Sequence, residues 1–77
     1  MGQDVADVTI HIDETLDHAA LEGIAGKIRE QAGVVSVTFH DNKPHLMIVR
    51  YDPGKTASTD IHQIITDQGV HSELIGL

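Results

Sequence analysis

The spacing of apolar residues changes period four times within 77 positions, and that switching leaves few folds open to the chain. In "VADVTIHI", residues 5–12, Val8, Ile10 and Ile12 alternate with Asp7, Thr9 and His11, which is the pattern of a half-buried strand. From 15 to 32 the spacing becomes three and four, with Leu16, Ala20, Leu21, Ile24, Ile28 and Ala32 on one helical stripe. Thr15 or Asp13 is expected to cap that helix, Asp17 suits its positive end, and Gly33 stops it. "VVSVTFH" alternates again, "DNKP" reads as a turn, and "HLMIVRY" reads as a strand apolar on both faces. "DPGKTAS" breaks that strand. Ser58 or Thr59 then caps a helix carrying Ile61, Ile64 and Ile65, which ends at Gly69, and "VHSELIGL" reads as a last strand. The order is βαββαβ. It predicts an α+β, ferredoxin-like sandwich: a four-stranded antiparallel sheet in the order 4-1-3-2 with two helices on one face.

Residues 1–77 form one domain on this reading, since a chain this short builds a single modest core, burying roughly 60% of its unfolded surface. A net charge of −7 and only one Phe and one Tyr argue against nucleic acid, which calls for a basic footprint and often stacking rings. No apolar run is long enough to span a membrane, and "MGQDVADV" lacks the regions of a signal peptide, so a cytoplasmic location is expected. There is no cysteine, which removes disulfides and thiolate metal sites. No Ser-His-Asp, paired-carboxylate or Walker-type arrangement is present, and "DPGKT" lacks the earlier glycine of a phosphate loop. The expectation is a non-catalytic domain.

Ile24 and Ile28, "GVVSV", "VRYDPGK" and "IHQIITDQGV" together resemble the heavy-metal-associated domain of copper chaperones and metal-pumping ATPases. The resemblance runs from Ile24 to Leu77, and the first strand fits it too. It implies the same fold, a metal ion as cargo and a metal transporter or other protein as partner. That family holds its metal on a Cys-x-x-Cys at the top of the first helix. Counting back from Gly33 and Val34, those positions fall on Asp17 and Ala20, so the family's Cu(I) chemistry does not carry over. Soft monovalent copper prefers sulfur, and only Met1 and Met47 offer it, Met47 sharing the parity of the core.

Six histidines are the unusual entry in the composition. In the predicted topology five of them reach one pole: His11 ends strand 1, His18 opens helix 1, His40 and His45 flank the hairpin, and His71 opens strand 4. Only His62 is expected elsewhere. Strands 1 and 4 are antiparallel neighbours, and directly opposed residues have Cβ atoms about 4.5–5.5 Å apart. A His11–His71 pair is therefore expected to offer two imidazoles to one divalent ion, with Asp13, Glu14, Asp17 or His18 as a third ligand and His40 and His45 as a looser reserve. Imidazole with carboxylate suits Zn²⁺, Ni²⁺, Co²⁺ or Cu²⁺. Only neutral imidazole binds metal, so such a site weakens as pH falls below about 6. Each histidine also has a plain alternative: a solvated helix start, a hairpin residue, or a polar cross-strand pair.

Leu46, Ile48 and Ile75 are expected on the open sheet face, beside Arg50. They suggest the alternative function, a metal-free interaction or regulatory module, with a homodimer through that face. Gly23 and Gly26 interrupt helix 1, as tolerated exposed positions or as a place for a partner backbone to approach.

Overall fold

The computed structural model describes residues 4–76; Met1, and Leu77 at the end of the predicted last strand, lie outside the described residues. The elements are β1 (Ala6–Ile12), α1 (His18–Arg29), β2 (Val34–His40), β3 (Lys43–Tyr51), α2 (Ser58–Asp67) and β4 (Ser72–Gly76). All strand pairs are antiparallel, and the sheet order β2-β3-β1-β4 is the expected order read from the other edge.

Alternation in the strands and the three-four spacing in the helices meet in a single core. Val8, Ile10, Ile12, Val37, Met47, Val49 and Tyr51 point from one sheet face to Leu21, Ile24, Ala25 and Ile28 of α1 and Ile61 and Ile65 of α2. Each large aliphatic side chain removed from water here is worth about 1.5–3 kcal/mol. Met47 is fully buried among them, so its thioether is not available at the surface.

Several boundaries move from their expected places. α1 begins at His18, not at residue 15, because the Asp17 carboxylate caps it: Oδ1 accepts the Ala20 N–H at 2.9 Å, leaving Thr15 and Asp13 in the preceding loop. α2 begins at Ser58 with Ala57 in the cap position, where the Ala57 N–H donates to Asp60 Oδ2 at 3.2 Å. Lys43 and Pro44 belong to β3 rather than to the turn. The hairpin tolerates this because pairing is irregular there, passing from Phe39↔Met47 directly to His40↔Lys43. Val35 stands as the extra residue of a second irregularity, between Val34↔Tyr51 and Ser36↔Arg50.

Gly33 makes the turn from α1 to β2 at φ 95°, a region closed to most side chains. Its carbonyl accepts the Asp52 N–H at 2.7 Å, and a Cβ placed on it would lie 2.8 Å from Lys55 Cβ. The turn thus locks the lower end of α1 against the segment that follows β3.

Candidate functional site

The β1–α1 loop, the β2–β3 hairpin and the α2–β4 turn meet at one pole, and the hydrogen bonds that join them each involve a histidine. His11, the penultimate residue of β1, sits on the open face between Leu46 of β3 and Glu73 of β4. Its Nδ1 meets Asp13 Oδ1 at 3.1 Å. Its ring stacks on that of His45, with centroids 5.7 Å apart and planes inclined by 14°. His45 is half-buried and turns its Nδ1 onto the Ile12 carbonyl at 2.7 Å, closing the end of β1.

The expected direct opposition of His11 and His71 is corrected by the register. Glu73 stands opposite His11, Ser72 stands opposite Ile12, and the His71 carbonyl accepts the Asp13 N–H at 2.9 Å, two pairs on from His11. The two histidines are diagonal neighbours on one face, a relation that spans about 7–8 Å with the Cβ atoms somewhat closer. The cause is Glu14, which captures the chain before β4 starts. Its carboxylate takes the His71 backbone N–H at 2.9 and 3.2 Å and the ring Nδ1 at 2.7 Å. This clasp raises the His71 pKa, chiefly through the carboxylate hydrogen bond and then through its charge. The same ring hydrogen bond is the main cause holding Glu14 below the usual carboxylate range.

His18 and His40 lie on the other side of the pole. His18 Nδ1 meets Asp41 Oδ1 in the hairpin at 2.7 Å, and its ring tilts against Phe39 at a centroid distance of 5.4 Å. The Asp41 hydrogen bond, and then its charge, raises the His18 pKa. His18, His40, Asp41, Phe39, Glu22 and Arg29 line an open cleft of about 380 Å³ between α1 and β2. The predicted cluster is therefore divided: His11, His45 and His71 over the sheet end, His18 and His40 beside the helix. Asp17, a further predicted ligand, is engaged as the helix cap. Among the described residues no three His, Asp or Glu side chains are gathered so as to hold one ion.

His62 is nearer this pole than expected. From α2 its Nε2 meets the Ser72 carbonyl, next to His71, at 2.9 Å. Sequence reasoning missed that contact, and it missed Asp41 as the partner of His18. Asp41 falls in the "DNKP" turn, where an acid reads as turn chemistry. On the open face, Ile48 is 41% and Ile75 53% exposed, as expected, while Leu46 is half-buried. The alternation of "VVSVTFH" sets Val35 in phase with Val37 and Phe39, but the irregularity between Val34 and Ser36 leaves Val35 57% exposed. No described helix is long and apolar enough to cross a membrane.

No protein-family model matches the chain, and no curated protein does. Solved structures do. Oxidized MerP from Ralstonia metallidurans CH34 superposes with a TM-score of 0.82 at 20% identity, over 92% of this chain and 97% of that one. The yeast copper transporter domain Ccc2a, solved in apo and Cu(I)-loaded states, gives 0.79 at 22% identity, over 90% and 93%. The N-terminal domain of PacS from Synechocystis PCC6803 gives 0.76 at 14%, over 91% and 97%. The donor set here does not fit the thiolate chemistry expected of the look-alike motif: Asp17 caps a helix, Ala20 has no donor side chain, and Met47 is buried. In its backbone, and without the cysteines, this chain has the fold of heavy-metal-associated domains.

Proposed function

We propose that the chain is a small non-catalytic metal-handling domain that uses imidazole and carboxylate in place of thiolate. The observation that carries this reading is the convergence of five histidines, His11, His18, His40, His45 and His71, from separate segments onto one pole. The pole also holds Asp13, Glu14, Asp17 and Asp41, whose charge raises the local concentration of cations. The fold supports the reading, since solved structures with it include copper-binding domains. The cargo is a divalent ion of the Zn²⁺, Ni²⁺, Co²⁺ or Cu²⁺ class, by the match of imidazole and carboxylate to borderline metals. The role is delivery, sensing or buffering, with a metal transporter or other metal-binding protein as partner. Because no three ligands are gathered beforehand among the described residues, affinity is modest and ligands assemble on binding.

Isothermal titration calorimetry with each of the four ions tests this. Saturable binding at near-unit stoichiometry, weakened at pH 5.5 and lost when His11, His45 and His71 are together replaced by Ala, is the expected result. Heats no larger than those of the triple variant, for all four ions, overturn it.

The exposure of Ile48 and Ile75 favours a second reading, an interaction module working through the open sheet face. Sedimentation of the wild type against Ile48→Lys separates the two. An association abolished by that change and indifferent to metal supports the second.

A further inference from the structure

The ring nitrogens at the pole are engaged in a consistent way. His11, His18, His45 and His71 each turn Nδ1 onto an oxygen, respectively of Asp13, Asp41, the Ile12 carbonyl and Glu14. A carbonyl or carboxylate oxygen only accepts, so Nδ1 carries the proton and the lone pair of the neutral ring lies on Nε2. His62 is the reverse, with Nε2 on the Ser72 carbonyl. Metal-binding histidines ordinarily have this second contact: the nitrogen that does not bind metal donates to a carboxylate or carbonyl, which fixes the tautomer and raises basicity. Among these rings, His11 and His45 are stacked, 5.7 Å apart and inclined by 14°. Their Nδ1 atoms are tied to consecutive residues, Asp13 and Ile12, so both rings are anchored on one side.

Resting on the metal-handling reading, we infer that His11 and His45 are the primary ligands and bind one divalent ion through Nε2, with Asp13 and the Ile12 carbonyl as the groups that position them. Glu73, exposed and opposite His11 in the strand register, offers a carboxylate on the same face, and water completes the coordination. Zinc–imidazole bonds of about 2.0–2.1 Å bring the two nitrogens within roughly 4 Å of each other. Binding therefore tilts the rings out of their parallel stack. A site completed by water remains open, which suits cargo that is passed on.

Long-range ¹H–¹⁵N spectra of the histidine rings in the intact protein at pH 7.5 test the inference, first without metal and then with Zn²⁺ alone. Without metal, each of the four rings in its neutral form should show the Nδ1–H tautomer, and His62 the Nε2–H form. With Zn²⁺, the Nε2 signals of His11 and His45 should shift together to a one-to-one endpoint while His62 stays fixed. Asp13→Ala should leave both ligands in place, release the His11 tautomer preference and weaken Zn²⁺ binding about 10–100-fold. Binding that shifts only His18 or His71, or that engages Nδ1, overturns this site and leaves metal handling standing. An unaltered affinity and tautomer in Asp13→Ala overturns the positioning role. No shift at any ring with Zn²⁺, Ni²⁺, Co²⁺ or Cu²⁺ overturns both.

Discussion

Two glycines inside α1 and one in the turn that follows it should respond to alanine with opposite signs. An added Cβ at Gly23 or Gly26 meets no atom within 4 Å. Each substitution therefore gains the full difference in backbone freedom between Gly and Ala in a helix, about 0.5–1 kcal/mol. The double variant Gly23→Ala/Gly26→Ala should be more stable by about 1–2 kcal/mol. For a domain of this size that corresponds to a rise in Tm of about 4–8 °C per kcal/mol. At Gly33 the same change forces a side chain into φ 95° and places its Cβ 2.8 Å from Lys55 Cβ and 3.1 Å from Thr56 Cγ2. The strained backbone alone costs about 1–3 kcal/mol, and the crowding adds to it. Urea unfolding followed by circular dichroism, at equal slope across variants, measures all three. A double variant no more stable than the wild type at low protein concentration would refute the reasoning, because the outer face of α1 would then not be open. Stabilisation at low concentration that reverses at high concentration would instead place a partner backbone on those glycines.

Asp17→Ala should cost about 1 kcal/mol through loss of the N-cap, a result read in the same unfolding assay. Met47→Ala, at a fully buried site, should cost about 2–5 kcal/mol and lower the urea midpoint without altering the tautomers at the pole. The Glu14–His71 clasp makes a pH prediction. His71 has its pKa raised above the ordinary 6.5, so its contribution is complete below that value and fades as pH rises through the raised one. Glu14 is held below 4.5, so its contribution is complete above that value and is lost as pH falls through the depressed one. The stability difference between wild type and Glu14→Gln should thus be greatest between about pH 4.5 and 6.5 and shrink on both sides. The ring titration of His71, followed by NMR, should move down in that variant; an unmoved midpoint counts against the clasp. Asp41→Asn should lower the titration midpoint of His18 in the same way.

The fold was legible because period, not composition, encodes it: alternation and three-four spacing in the right order leave one common topology. Boundaries were less legible where a side chain outcompetes the pattern. Leu16 continues the helical stripe toward the N-terminus, yet Asp17 ends the helix by taking the Ala20 N–H. The polar assembly was legible only as far as topology reaches. Sorting five histidines to one end needs strand directions alone. Pairing His11 with His71 needs the register of two strands distant in sequence, and no turn between β1 and β4 sets it. Glu14 does, by holding the His71 backbone one pair beyond β1. The direction of each Nδ1 was not legible at all, since it depends on carbonyls and hairpin acids whose positions are properties of the folded chain.

Replacing thiolates by this arrangement changes what the pole responds to. A thiolate pair at the start of a helix would gain from the helix dipole and bind soft ions tightly. Here the helix N-terminus is satisfied by the Asp17 carboxylate whether or not metal is present. The loops are tied together by the His18–Asp41 and His71–Glu14 contacts, which need no ion. The loops are thus held together in advance of binding, but the ligands they carry are rings that protons also seek. His18 and His71 hold their protons above the ordinary value, so they become available to metal only at higher pH than free imidazole would. If His11 and His45 are the first ligands, Zn²⁺ affinity measured against pH should have a component that does not follow the His71 proton. Engagement of His71 should appear as a separate, later phase on the alkaline side. A single phase that follows His71 would assign the site to the Glu14 clasp instead.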